Sequence, residues 1–114
     1  MASNPRPDIA SVLRDLAGLG LSREDIATAT GTTVEDVRGW PSGTATVDRV
    51  ADRLRQLHRL ASKLSESLHP PGPAQWLRTP NRMLAGHVPL AVLRDGDYER
   101  VLGAVNAYLH GAYL

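Results

Sequence analysis

The residues of this chain that could do chemistry are few and dispersed. Its four histidines, His58, His69, His87 and His110, lack the short spacings that put two metal ligands on one helix face. Cysteine is absent, which excludes disulfides, thiolate nucleophiles and cysteine-bound zinc. No glycine-rich phosphate loop, nucleophile elbow or carboxylate pair with a neighbouring base occurs. Neither catalysis nor a metal is expected, and no cofactor is implied. What remains are side chains suited to recognition.

One such set lies in "LSREDIATATGTTVEDVRGWPSG", residues 21–43. A capped helix, the turn at Gly31 and a second capped helix follow the helix-turn-helix plan. The stretch resembles the Xre-type repressor motif, a resemblance that implies Thr33, Val34, Glu35, Asp36 and Arg38 as the residues facing DNA. Two of these five are acids, and Gly39 offers no side chain at all. Phosphates favour cations, although a carboxylate can accept from the amino group of cytosine. The competing reading makes Glu35 and Asp36 stabilisers of a helix N-terminus. Residues 1–69 carry as many acids as bases, so they show no net basic surface. Arg49, Arg53, Arg55, Arg59 and Lys63 step along one helix and could reach phosphates; alternatively they form a solvated face with an Asp52–Arg55 pair.

A second set lies near the other end. Arg78 and Arg82 flank the Pro80–Asn81 turn and could reach acidic groups on a partner, while Asn81 is most simply a helix cap. The last seven residues, "YLHGAYL", place Tyr108 before a helix-stopping Gly111 and an apolar Ala112, Tyr113 and Leu114. Such a tail either packs back on its own helix or is covered by another protein. Burying Tyr113 and Leu114 in a partner would contribute roughly 1.5–3 kcal/mol each before ordering costs.

The elements that position these residues read as helices throughout. Ile9, Val12, Leu13 and Leu16 fall at helical spacing, predicting a helix over about Asp8 to Ala17 that Gly18 and Gly20 stop. Ser22 with Asp25, and Thr33 with Asp36, each have the spacing of a capping box, and Leu21 with Ile26 that of a hydrophobic staple. From Val47 an apolar stripe through Val50, Leu54, Leu57, Leu60 or Ala61, Leu64 and Leu68 predicts a helix of about 22 residues, roughly 33 Å long. "HPPGP" at His69–Pro73 breaks the chain and divides it into 1–69 and 70–114. Short helices follow around Ala74 to Leu77, Asn81 to Ala85 and Pro89 to Asp95. A last helix carries Tyr98, Val101, Leu102, Val105, Tyr108 and Leu109 inward. Trp40 and Trp76 are expected in the core, since the chain has no Phe.

With 13 Lys and Arg against 12 Asp and Glu, the net charge is +1, and 42% of the 114 residues are hydrophobic. This is globular composition without electrostatic bias to nucleic acid or membrane. No apolar run has the length of a signal peptide or membrane span, and the lack of cysteine suits a reducing compartment, so a cytoplasmic protein is expected.

The region "WLRTPNRMLAGHVPLAVLRDGDYERVLGAVNAYLHGAYL" resembles the toxin-binding lobe of Xre/MbcA/ParS-type antitoxins. Trp76, Pro80–Asn81 with Leu84 and Gly86, the Pro89 helix with Leu90 and Leu93, the turn at Gly96 and the closing Gly111 with Tyr113 carry the likeness. Residues 21–43 are similar to the Xre-type repressor motif. Val88 departs from the family, which more usually has a small polar or cationic residue before that proline. The resemblance implies an all-α protein with an Xre-like lobe, a long connecting helix and a toxin-binding lobe. It implies a partner too: a RES-domain toxin that consumes NAD, its active site occluded by Arg78, Asn81, Arg82, Leu90, Leu93, Tyr108 and Gly111–Leu114. A homodimer within a larger complex and autoregulation at operator DNA would accompany that role. The alternative is a stand-alone helix-turn-helix regulator.

Overall fold

The computed structural model describes residues 9–40 and 48–111. Among these residues there are seven α-helices and no strand: α1 (Ile9–Gly18), α2 (Arg23–Thr30), α3 (Val34–Gly39), α4 (Asp48–Leu64), α5 (Gly72–Arg78), α6 (Pro89–Arg94) and α7 (Tyr98–Leu109). A single 3-10 turn, Arg82–Leu84, lies between α5 and α6. The fold is all-α, as the periodicity predicts.

Both capping boxes form. Ser22 Oγ accepts from the Asp25 amide at 3.1 Å while an Asp25 oxygen accepts from the Ser22 amide at 2.9 Å. Thr33 and Asp36 repeat the exchange at 3.1 and 3.3 Å. Between them Gly31 takes a left-handed φ of 72°, and the Thr32 amide reaches back to the Ala27 carbonyl at 2.9 Å. That geometry closes α2 at little cost only for a residue without a Cβ. Val88 gives α6 no side-chain cap, and Pro89 begins the helix directly. Packing holds α6 instead, through Leu90 and Leu93.

The long helix is shorter than its stripe predicts: 17 residues, ending at Leu64. Beyond it, Ser67 donates to Leu64 and Glu66 to Lys63, three residues back, and the Ser65 hydroxyl bonds the Ser62 carbonyl. Serine hydroxyls compete with the helical ladder, and Pro70 disfavours helical backbone in the residue before it. Leu68 thus keeps its inward phase in a tightening turn. The link to α5 then folds sharply, with the Gly72 amide bonding the His69 carbonyl and a cis bond between Pro70 and Pro71.

One cluster of buried side chains draws on residues from both sides of this link. Leu54, Leu57, Leu60 and Leu64 of α4 have no exposed surface. Each contributes about 1.5–3 kcal/mol by leaving water. Val12 and Leu16 of α1 cover this ridge, and Leu77, Leu93, Val101 and Val105 join it from α5, α6 and α7. α6 also packs against α2. Trp40 and Tyr98 are core residues, as predicted; Trp76 is not, being only partly buried.

Arginine side chains tie the helices at the surface. Arg53 donates to the Arg94 carbonyl at 2.7 Å, placing a cation at the C-terminus of α6. Arg55 pairs with Asp52 at 2.6 Å, and Arg59 lies over the Tyr98 ring, 5.9 Å from its centroid. Of the basic row on α4, these three are therefore engaged within the chain. The expected Asp52–Arg55 pair is present.

Candidate functional site

A groove of about 540 Å³ opens where α5, the 3-10 turn and α7 meet. Its position follows from the local chain. Asn81 caps the 3-10 turn, its Oδ1 accepting from the Met83 amide at 2.8 Å, and its backbone pairs with His87. Ala85, at a left-handed φ of 57°, and Gly86, at 84°, reverse the chain so that this pairing can close. The short loop so formed pushes Arg82 and Met83 outward. Met83, half exposed at 51%, is a large apolar side chain left in water.

Trp76 of α5 and Tyr108 of α7 form the aromatic part of the lining, their ring centroids 5.9 Å apart and their planes inclined at 55°. Leu68 contributes from the link, and Gly72, Gln75, Thr79 and Pro80 from α5 and its end. An aromatic and thioether lining beside a guanidinium has the makings of a protein-binding surface.

Arg78 stands on the same helix but faces elsewhere. Its Nε and Nη2 grip the Asp25 carboxylate at 2.7 to 3.0 Å, and Nη2 also donates to the Gly20 carbonyl at 2.9 Å. The Asp25 side chain is 9% exposed. Burial alone would raise its pKa, but hydrogen bonds from Arg78 and from Ser22 outweigh it and hold the carboxyl below its ordinary value. The same bond to Asp25 raises the Arg78 pKa. Beside the pair, Gly20 (φ 99°) passes so near the link that a Cβ on it would meet Pro71 Cβ at 2.7 Å.

The residues expected at a toxin interface thus separate in the structure. Tyr108, Asn81 and Arg82 line the groove. Arg78 is bound to Asp25 and Gly20, with part of its side chain still in water. Leu90 and Leu93 are 3% and 2% exposed and face the core, where they fix α6. Gly111 is exposed with φ 73°, and Ala112, Tyr113 and Leu114 lie outside the described residues. Sequence reasoning missed Met83 and placed Trp76 in the core. A methionine next to an exposed arginine in a loop stiffened by Pro80 was the available signal.

Of the residues expected to face DNA, Thr33 and Asp36 are used in the cap of α3. Val34 is partly buried, and Glu35 and Arg38 pair with each other at 3.6 Å. At the turn before α3, a Cβ on Gly31 would lie 3.7 Å from Arg94 Cγ, so α6 borders this end of the motif. Among the described residues no cluster of three His, Asp or Glu converges as a metal site would require, and no helix is long and apolar enough to cross a membrane.

Comparison with known proteins bears on the same region. The family described as the antitoxin Xre/MbcA/ParS C-terminal toxin-binding domain matches residues 70–111. A Mycobacterium tuberculosis protein named a "probable mycobacterial cidal antitoxin" is 36% identical over 107 residues, covering 94% of this chain and 92% of its own. The mycobacterial cidal antitoxin MbcA of Mycobacterium bovis is 31% identical over 97 residues, covering 84% and 86%. Among solved structures, the crystal structure of the M. tuberculosis MbcT–MbcA toxin–antitoxin complex aligns with a TM-score of 0.78 at 29% identity, over 93% of this chain and 96% of the matched one.

Proposed function

This chain belongs to the Xre/MbcA/ParS antitoxin family, and we propose on that premise that it binds a cognate toxin through residues 70–114 and silences it by steric occlusion. The observation that carries this reading is the coincidence of the family match over 70–111 with the groove formed by Trp76, Arg82, Met83 and Tyr108. The toxin is of the RES type and consumes NAD. The chain acts as an inhibitor and supplies no catalytic group. Its tail, Ala112–Leu114, continues from Gly111 and enters the mouth of the toxin's active site, where Tyr113 and Leu114 fill apolar space. Residues 1–69 form the helix-turn-helix lobe, joined to the toxin-binding lobe by the long helix, and homodimerise. Any autoregulation at an operator would use the α3 face, whose exposed side chains include two acids; neutralisation of the toxin is therefore the primary role.

Co-expression with the toxin encoded beside this chain is the test. Growth and cellular NAD should collapse with the toxin alone and recover with both, and a stable complex should co-purify. Deleting residues 112–114 should weaken inhibition while leaving the fold intact. Recovery of operator binding with no toxin partner would favour the stand-alone regulator. Undiminished inhibition by the truncated chain would remove the tail from the mechanism.

A further inference from the structure

The groove carries one charge. Among the described residues lining it, Arg82 is the only side chain ionised at neutral pH, and no acid stands beside it. Arg38, Arg55, Arg78, Arg94 and Arg100 each have a carboxylate partner within 4.0 Å; Arg82 has none among the described residues. Behind it the surface is apolar, made by Trp76, Tyr108 and the half-exposed Met83. Part of the local polar capacity is already committed, since the Thr79 hydroxyl donates to the Gln75 carbonyl at 2.6 Å and Asn81 Oδ1 accepts from Met83.

From this arrangement, and resting on the reading that residues 70–114 bind a toxin, we propose that the groove receives a toxin segment presenting two apolar or aromatic side chains beside an aspartate or glutamate that pairs with Arg82. The volume lies within the roughly 300–1,000 Å³ of pockets that take a drug-sized ligand, room for a pair of side chains. Tryptophan, tyrosine and arginine are the residue types that dominate binding energy at interfaces. Methionine beside them adapts its shape to the incoming group. A guanidinium prefers a carboxylate, which it can hold through two parallel hydrogen bonds, and it repels a lysine or arginine in the same place. The groove therefore selects its ligand by charge on one flank and by apolar fill in the centre.

The test uses the full chain in complex with a catalytically inactive form of the toxin encoded beside it. A photo-reactive benzophenone side chain replaces Met83 in one variant and Gln75, which also lines the groove, in another, so that a folding or binding defect at one site leaves the other readable. Mass spectrometry of the cross-linked product should identify a toxin peptide with an Asp or Glu next to apolar residues. Calorimetry should show R82E weakening the complex roughly 30-fold or more and R82K much less, with the R82E penalty shrinking as salt rises. Arg82 is exposed, so thermal unfolding of both variants should match the parent chain. Cross-links that map to a polar or basic toxin peptide, or an R82E chain that binds as the parent does, would overturn the groove assignment while leaving the antitoxin role standing. A parent chain that forms no complex at all would remove both.

Discussion

The Asp25–Arg78 pair offers a quantitative test of how the two halves of the chain are held together. In the intact pair the Asp25 side chain is 9% exposed, and replacing Arg78 with alanine removes three hydrogen bonds to its carboxylate, together with one to Gly20. Breaking a buried ion pair costs about 3–5 kcal/mol, whereas exposed pairs are worth about 0.2–1. Arg78 is itself 42% exposed and so partly screened by water, which places the loss between these limits, at about 2 kcal/mol. Asp25→Ala should cost about 3 kcal/mol, because it also removes the carboxylate that accepts from the Ser22 amide, one half of the capping box. The double variant should lose less than the sum, with a coupling of about 1–2 kcal/mol. Urea unfolding followed by circular dichroism reads all four corners. The pH dependence supplies a separate check. Asp25 has a folded pKa below its ordinary 3.8, so its stabilising contribution is complete above that value and is lost as pH falls through the folded pKa. The gap between the parent and Arg78→Ala should accordingly be full at neutral pH and shrink in strong acid. A coupling under about 0.5 kcal/mol, or a gap that does not change with pH, would show the contact to be incidental.

Three further outcomes follow from the packing. Gly103→Ala should stabilise the chain by about 0.5–1 kcal/mol, since a Cβ there meets nothing within 4 Å and the residue is interior to α7; a drop in melting temperature would contradict this. Gly20→Ala should destabilise by more than about 1 kcal/mol, because the new Cβ would stand 2.9 Å from the Pro71 Cα in a backbone of φ 99°, and an unchanged urea midpoint would refute that crowding. Leu60→Ala, at a position with no exposed surface, should cost about 2–5 kcal/mol in equilibrium unfolding, and a loss below about 1 would mean that the core around α4 can collapse to fill the space.

Sequence reading succeeded where the determinants are local. The capping boxes at Ser22 and Thr33 are complete within four residues, and the glycine that ends α2 follows its helix directly, so their spacing alone places two helices and a turn. The end of α4 is not legible in the stripe, because Leu68 stays in phase with it while the backbone beneath has already tightened into a turn. The groove was only partly legible. Trp76, Met83 and Tyr108 come from three elements, and no pattern within any of them records that they face one opening. Trp76 looked like core for a sound reason, in a chain without Phe, and one part of it does pack on the core. The pairing of Arg78 with Asp25, a carboxylate 53 residues upstream, is one that helical periodicity cannot express.

That distant pairing changes what residues 1–69 contribute to the surface over 70–111. α5 supplies Gln75 and Trp76 to the groove, while Arg78, at its end, is fastened to the cap of α2 and to the Gly20 carbonyl. Gly20 in turn makes room for Pro71, one residue before α5 begins. The angle of the Trp76 wall is therefore fixed from two sides by the opening third of the chain. The packing of α6 against α2 adds a third constraint, because α6 follows directly on the loop that projects Arg82 and Met83. A fragment beginning at residue 70 would keep the groove's side chains apart from Leu68 but lose Asp25, Gly20 and the α4 ridge beneath them. The groove is a local surface whose shape is set by distant residues, so loosening the first helices should blunt recognition even though none of their residues lines it.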